Sequence, residues 1–139
     1  MQKQLKNVEE FNESFQIHYA NSPCILKYEE DYKLRHSLME EENNEYLEAC
    51  ENKSLVDIAD ALGDQLYILC GTILKHGLQH KIEEVFEEIH RSNMSKLGDD
   101  SKPLVNGLNI FDENNPIGKI LKSENYFKPD LESVLNSNK

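Results

Sequence analysis

Apolar residues recur at intervals of three and four over the first two thirds of the chain. Leu5, Val8, Phe11 and Phe15 follow the helical period and predict a first helix over about residues 3–20. The stretch "NSPC" interrupts it. A second helix is expected from about Asp31 to Glu51. A third opens at Ser54, whose spacing to Asp57 has the form of a capping box. It runs to about His76, and Gly77 suits the residue just past a helix end. A fourth, over about residues 78–95, turns Ile82, Val85, Phe86 and Ile89 inward and glutamate pairs outward. From residue 98 the period is lost. Isolated apolar residues there (Leu104, Val105, Ile110, Phe111, Ile120, Tyr126, Phe127) predict loops and short turns that pack across the helices, with room for a short hairpin. The expected fold is all-α, a four- to five-helix bundle over residues 1–97. An irregular C-terminal extension, 98–139, packs on the same domain.

Two helices depart from simple amphipathicity. In the third, Leu55, Ile58, Leu62, Leu66, Leu69 and Ile73 form one stripe, with Asp57, Asp60 and Asp64 on the other side. That other side continues as Tyr67, Ile68 and Gly71, so the C-terminal half is apolar nearly all round and is expected to be buried on both faces. In the second, Glu42 and Glu45 lie in line with Leu34, Leu38 and Ala49. Burying an unpaired carboxylate costs on the order of several kcal/mol. Either that face meets water or a cation sits in front of it.

The connection near "NKS" is short, which predicts antiparallel neighbours. Facing carboxylates on adjacent bundle helices are one way to build a metal site. Glu42, Glu45, Asp57, Asp60 and Asp64 are then the candidate ligands, and oxygen donors favour Mg²⁺ or Mn²⁺ over Zn²⁺. Simpler readings stand beside this one. Asp57 alone reads as a helix cap, and Glu42 and Glu45 alone as a wet flank. Glu40, Glu41 and Glu48 alone read as solvated surface acids. The combination across two helices carries the signal.

Charge and composition narrow the partners. The formal net charge is −11, which argues against non-specific nucleic-acid binding. A small anionic substrate remains compatible if metal ions mediate the contact. No apolar run approaches the roughly 18 residues of a membrane span. The polar, acidic N-terminus does not read as a secretory signal. Cys24, Cys50 and Cys70 are widely spaced and odd in number, which predicts free thiols and a cytoplasmic location. His76 and His80 flank Gly77, and neither a CxxC nor an HExxH motif is present, so zinc chemistry is disfavoured. No Walker-type glycine loop occurs.

The ordered segments "RHSLMEEENNEYLEA", "SLVDIADALGDQLYILCGTILKHGL" and "VFEEIHRSNMSKL" resemble the all-α NTP pyrophosphatase superfamily. The MazG-like members with a phosphoribosyl-ATP pyrophosphatase-like domain are the most similar. "GKILKSENYFKPDL" resembles the lysine-containing extension of one branch. The acidic EExxE pattern alone is weak; the ordered set ending in "SNMSK" is fairly specific. The resemblance implies Mg²⁺-dependent hydrolysis of a nucleoside triphosphate to monophosphate and pyrophosphate, in a homodimer or homotetramer. Glu42 and Glu45 match metal ligands, and Glu41 matches a position that helps activate water. On the third helix the family's glutamate is replaced by Asp57 if the pair is Asp57/Asp60, with Asp64 as a further acid. The resemblance also gives Asn93 a base- or sugar-binding role. Lys96, Lys119 and Lys122 would neutralise phosphate. Tyr67 either stacks on a base or packs, and packing is the better reading. Two rivals remain: phosphoribosyl-ATP hydrolysis, and a non-catalytic acidic bundle that binds a protein partner.

Overall fold

A computed structural model describes residues 1–137. It contains helices α1 (Gln2–Ser14), α2 (Glu29–Glu51), α3 (Leu55–Lys75), α4 (Ile82–Met94) and α5 (Leu131–Asn136). The fold class is all-α. Among the described residues, β pairing is limited to isolated bridges, Val105 with Ile120 and Asn106 with Ile110. The chain forms two compact units, Met1–Ile82 and Glu83 onward.

In the first unit α3 is central, and both α1 and α2 pack on it. Its core is Leu5 and Val8 of α1 against Cys70, Ile73 and Leu74 of α3, joined by Tyr19, Leu78 and Ile82. Both ends of α3 are closed as the sequence predicts. Ser54 Oγ accepts a hydrogen bond from the Asp57 amide at 3.3 Å. Gly77 takes φ +66°, and its amide donates to Leu74 O at 3.0 Å. Helix α1 stops at Ser14 rather than near residue 20. Gln16 adopts φ 57°, and the segment that follows runs along the end of α3. There the Ala20 amide donates to Leu74 O at 3.1 Å and the Cys24 amide to His76 O at 2.9 Å. These bonds occupy carbonyls that a helix end leaves without partners.

The apolar stripe of α3 does not form the core as its periodicity predicts. Of its six residues only Ile73 is fully buried. Leu55 is 78% exposed, and Leu62, Leu66 and Leu69 are each more than 40% exposed. Helix α1 has 13 residues against 21 in α3, so it can cover only part of α3's length. The buried positions of α3, Ala61, Cys70, Gly71, Ile73 and Leu74, cluster mainly in its C-terminal half, where α1 lies.

In the second unit the tail is tied to the end of α4 by serines. Ser92 Oγ donates to Phe127 O at 2.8 Å, and Ser95 Oγ accepts from the Phe127 amide at 3.1 Å. Ser123 Oγ lies within hydrogen-bond reach of Ser95 O and Leu97 O. Asn106, 1% exposed, organises the loop. Its amide nitrogen donates to Asp112 O and Asn115 O, and its Oδ1 accepts from the Asp112 amide. Two local expectations differ. Phe86 is 58% exposed rather than buried. A short helix, α5, follows Asp130, which caps it by accepting from the Ser133 amide at 3.1 Å.

Candidate active site

The Asn52–Ser54 turn reverses the chain, so the acidic stretches of α2 and α3 face each other. Gln65 Nε2 on α3 donates to Glu42 O on α2 at 3.2 Å. The Glu42 carboxyl is held above its ordinary range. Burial is the main cause, followed by the charges of Glu45, Asp64, Glu41 and Asp60. Its Oε2 is buried and has no hydrogen-bond partner. A carboxylate oxygen deprived of both water and donors, among four like charges, is an unfavourable arrangement unless a cation accompanies it.

The structure thus brings Glu41, Glu42, Glu45, Asp60 and Asp64 into one electrostatic group. Asp57 is exposed and sits in the first turn of α3, where its amide bonds the capping Ser54. It is not among the charges acting on Glu42. No three His, Cys, Asp or Glu side chains among the described residues converge into a ready-made metal site. The donor set nonetheless has the chemistry of a hard divalent cation site, all carboxylate oxygens with one left unpartnered.

Tyr67 stands edge-on to Phe11, ring centroids 5.7 Å apart. Both line a cavity of about 460 Å³ among α1, α2 and α3. Arg35 of α2 lines it too, with Nε donating to Thr72 Oγ1 at 3.0 Å and Nη2 to Ile68 O at 2.8 Å. Sequence reading passes over Arg35. A lone arginine on an acidic helix looks like a surface residue, although its place one residue after Leu34 at the head of the apolar stripe was a usable signal.

In the second unit Lys96, Lys119 and Lys122 line a single cavity of about 490 Å³ together with Asp112 and Asn115. Lys119 Nζ donates to Asn115 Oδ1 at 2.6 Å, and Lys122 Nζ lies 4.4 Å from the Tyr126 ring centre. Asn93 is exposed on α4 and does not line that cavity.

No curated protein matches the chain. The family model for phosphoribosyl-ATP pyrophosphohydrolase matches residues 8–93. The match holds the whole acidic group, Tyr67 and Asn93, and ends before Lys96. The family lies within the all-α NTP pyrophosphatase superfamily and consists of pyrophosphohydrolases, hydrolases of acid anhydrides. With more than half of its length matched and with facing acidic helices at the centre of that match, the chain belongs to the phosphoribosyl-ATP pyrophosphohydrolase family.

Proposed function

We propose that this protein is a Mg²⁺-dependent nucleoside triphosphate pyrophosphohydrolase. It converts an NTP or dNTP to the monophosphate and pyrophosphate. The observation that supports this most is Glu42, whose buried, unpartnered oxygen is surrounded by Glu45, Asp64, Glu41 and Asp60. Glu42, Glu45, Asp60 and Asp64 would hold the metal, with Mn²⁺ as a substitute, and Asp57 is left to the helix cap. Mg²⁺, when bound, supplies positive charge that offsets the phosphate oxygens and makes water more acidic.

The remaining work falls to the chain's own groups. Glu41 is exposed at the edge of the acidic group and accepts the proton of the attacking water. Water adds at the α-phosphorus, the bond from that phosphorus to the bridging oxygen breaks, and pyrophosphate leaves. Within the second unit, Lys96, Lys119 and Lys122 gather around one cavity whose positive charge suits an anionic group.

A homodimer or homotetramer is part of the proposal, because the Leu62, Leu66 and Leu69 face of α3 is exposed in the single chain. No helix among the described residues is long and apolar enough to cross a membrane. The three cysteines are free, which supports a cytoplasmic setting.

The family description favours a second reading, phosphoribosyl-ATP as substrate. One panel separates the two. Purified protein with Mg²⁺ is given each canonical NTP and dNTP and phosphoribosyl-ATP, and pyrophosphate release is followed. At least one nucleoside triphosphate should be cleaved. Glu45→Gln should lose at least about 100-fold in turnover while keeping its helical circular dichroism. Cleavage of phosphoribosyl-ATP alone would select the second reading. Inertness toward the whole panel, with equal Mg²⁺ binding by both proteins, would instead favour a non-catalytic binding module.

A further inference from the structure

The acidic face of α2 is the continuation of an apolar one. Leu34 and Leu38 precede Glu42 and Glu45 on the same stripe. On α3, Asp64 is followed one turn later by Ile68. The cavity of about 460 Å³ is lined by Leu34, Leu38 and Ile68, and Leu38 and Ile68 lie a single turn, about 5.4 Å, from Glu42 and Asp64. That step is comparable with the reach from a nucleobase across its ribose to the α-phosphate.

Two polar groups in this cavity keep hydrogen-bonding capacity to spare. Asn12 is 5% exposed and lines the cavity, where its carboxamide still touches solvent and keeps its donor and acceptor for a ligand. Arg35 spends Nε on Thr72 and one Nη2 proton on Ile68. No carboxylate pairs with it among the described residues. Asp31 lines the same cavity but lies 3.8 Å from Lys75 Nζ. The guanidinium thus keeps N–H groups unspent. Gly71 makes room for it, because a Cβ there would come within 2.9 Å of Arg35 Nη2. Phe11 and Tyr67 supply aromatic wall.

We propose that this cavity is the nucleobase subsite of the enzyme, with Arg35 and Asn12 as its specificity-determining pair and a keto-bearing base as its occupant. The proposal rests on the nucleotide hydrolase reading above. The walls are apolar and aromatic, which suits a flat heterocycle better than a phosphate. Arg35 offers donors alone, so the base must present an acceptor. A carbonyl oxygen takes two such N–H groups, which uracil, thymine, cytosine and guanine provide and adenine does not. Asn12 offers both a donor and an acceptor to the base edge. A site built to hydrogen-bond one group discriminates strongly against a ligand without it, because its own buried polar atoms are then left unpaired.

The test separates base recognition from turnover. Binding of UMP, CMP, GMP and AMP is measured by calorimetry in EDTA, on the full chain and on the variants Arg35→Gln, Asn12→Leu and Gly71→Ala. Turnover is measured separately with Mg²⁺ on the matching triphosphates, and on inorganic tripolyphosphate, which has no base. At least one keto-bearing monophosphate should bind tenfold or more tightly than AMP. Each variant should weaken that binding tenfold or more. With triphosphates the variants should raise KM more than they lower kcat, and tripolyphosphate binding with Mg²⁺ should not change. Arg35→Gln removes bonds between α2 and α3, so Asn12→Leu, which breaks no bond in the structure, serves where Arg35→Gln loses helicity. Equal binding of all four monophosphates, or unchanged binding in folded Asn12→Leu, overturns the subsite even if triphosphates are hydrolysed. Selective monophosphate binding that the variants abolish upholds the subsite even if no triphosphate is cleaved, and it is then the reaction assignment that fails.

Discussion

At the scale of single residues, two glutamates respond to acid in opposite senses. Glu42 has a folded-state carboxyl raised by burial and by its acidic neighbours. Its folded form therefore binds more protons than the unfolded form across the window above the ordinary carboxylate range. Stability is lost as pH rises through that window, and the penalty persists at neutral pH. Glu88 is held down to about 2 from an ordinary 4.5, chiefly by its hydrogen bonds with Arg91 and then by the Asp130 amide. Its contribution is fully present above the ordinary value and is lost as pH falls toward 2. Melting curves in metal-free buffer should show this contrast. Glu42→Gln should melt higher than wild type at pH 7 and equally below the carboxylate range. Glu88→Gln should melt lower at pH 7, with the gap closing as the pH approaches 2. Equal melting of all three proteins at pH 7 would contradict both assignments. Mg²⁺ should raise the wild-type midpoint more than that of Glu42→Gln, since a ligand stabilises only the state that binds it.

At the scale of elements, α3 depends on how it ends. Gly77 reverses the chain in a left-handed conformation, φ +66°. A Cβ there would lie 2.0 Å from Ser22 O, a backbone atom that cannot swing aside. The same turn seats the segment that covers the last carbonyls of α3. Gly77→Ala therefore carries both the left-handed penalty, about 1–2 kcal/mol, and a displacement of the Ser22 strand. We expect a fall in melting temperature of at least about 4 °C, from the scale for domains of this size. Thermal circular dichroism checks it, and a fall under about 2 °C would mean that the turn is not rigid. At the other end, the Ser54 cap was legible because a hydroxyl three residues ahead of an acid needs only local geometry. The end of α1 was not legible. Phe15 keeps the helical period but belongs to the turn that sends residues 17–24 along α3.

At the scale of the whole molecule, the buried core is small and many large apolar side chains remain exposed. The band of Leu62, Leu66 and Leu69 on α3, beside Met39 of α2, lines an open cavity of about 490 Å³. A second copy of the chain covering this band, as proposed, would account for leucines that stay more than 40% exposed in the single chain. Sedimentation of the wild type at micromolar concentration should give a multiple of the 16.1 kDa chain mass. Leu66→Asp should reduce it to the single-chain value without loss of helix, and a monomeric wild type would remove the proposal.

The chain's own periodicity carried the presence of α1 to α4, the all-α class, the Ser54 and Gly77 caps, and the pairing of acidic faces on α2 and α3. These depend on periodicity and on contacts a few residues apart, which the chain carries locally. The family pattern rode on the same short spacings, as in Glu41, Glu42 and Glu45. Which acids surround Glu42 was settled by packing between helices. Asp60 and Asp64 act on it and Asp57 does not, because a register between two helices depends on the turn and on packing as well as on spacing. Packing of three helices also turned Arg35 inward beside Gly71 and set Asn12 along the same cavity. Neither residue is unusual on its own helix. Each acquires meaning where three helices meet and set both side chains along one largely apolar cavity, in which a ligand's polar groups find few other partners.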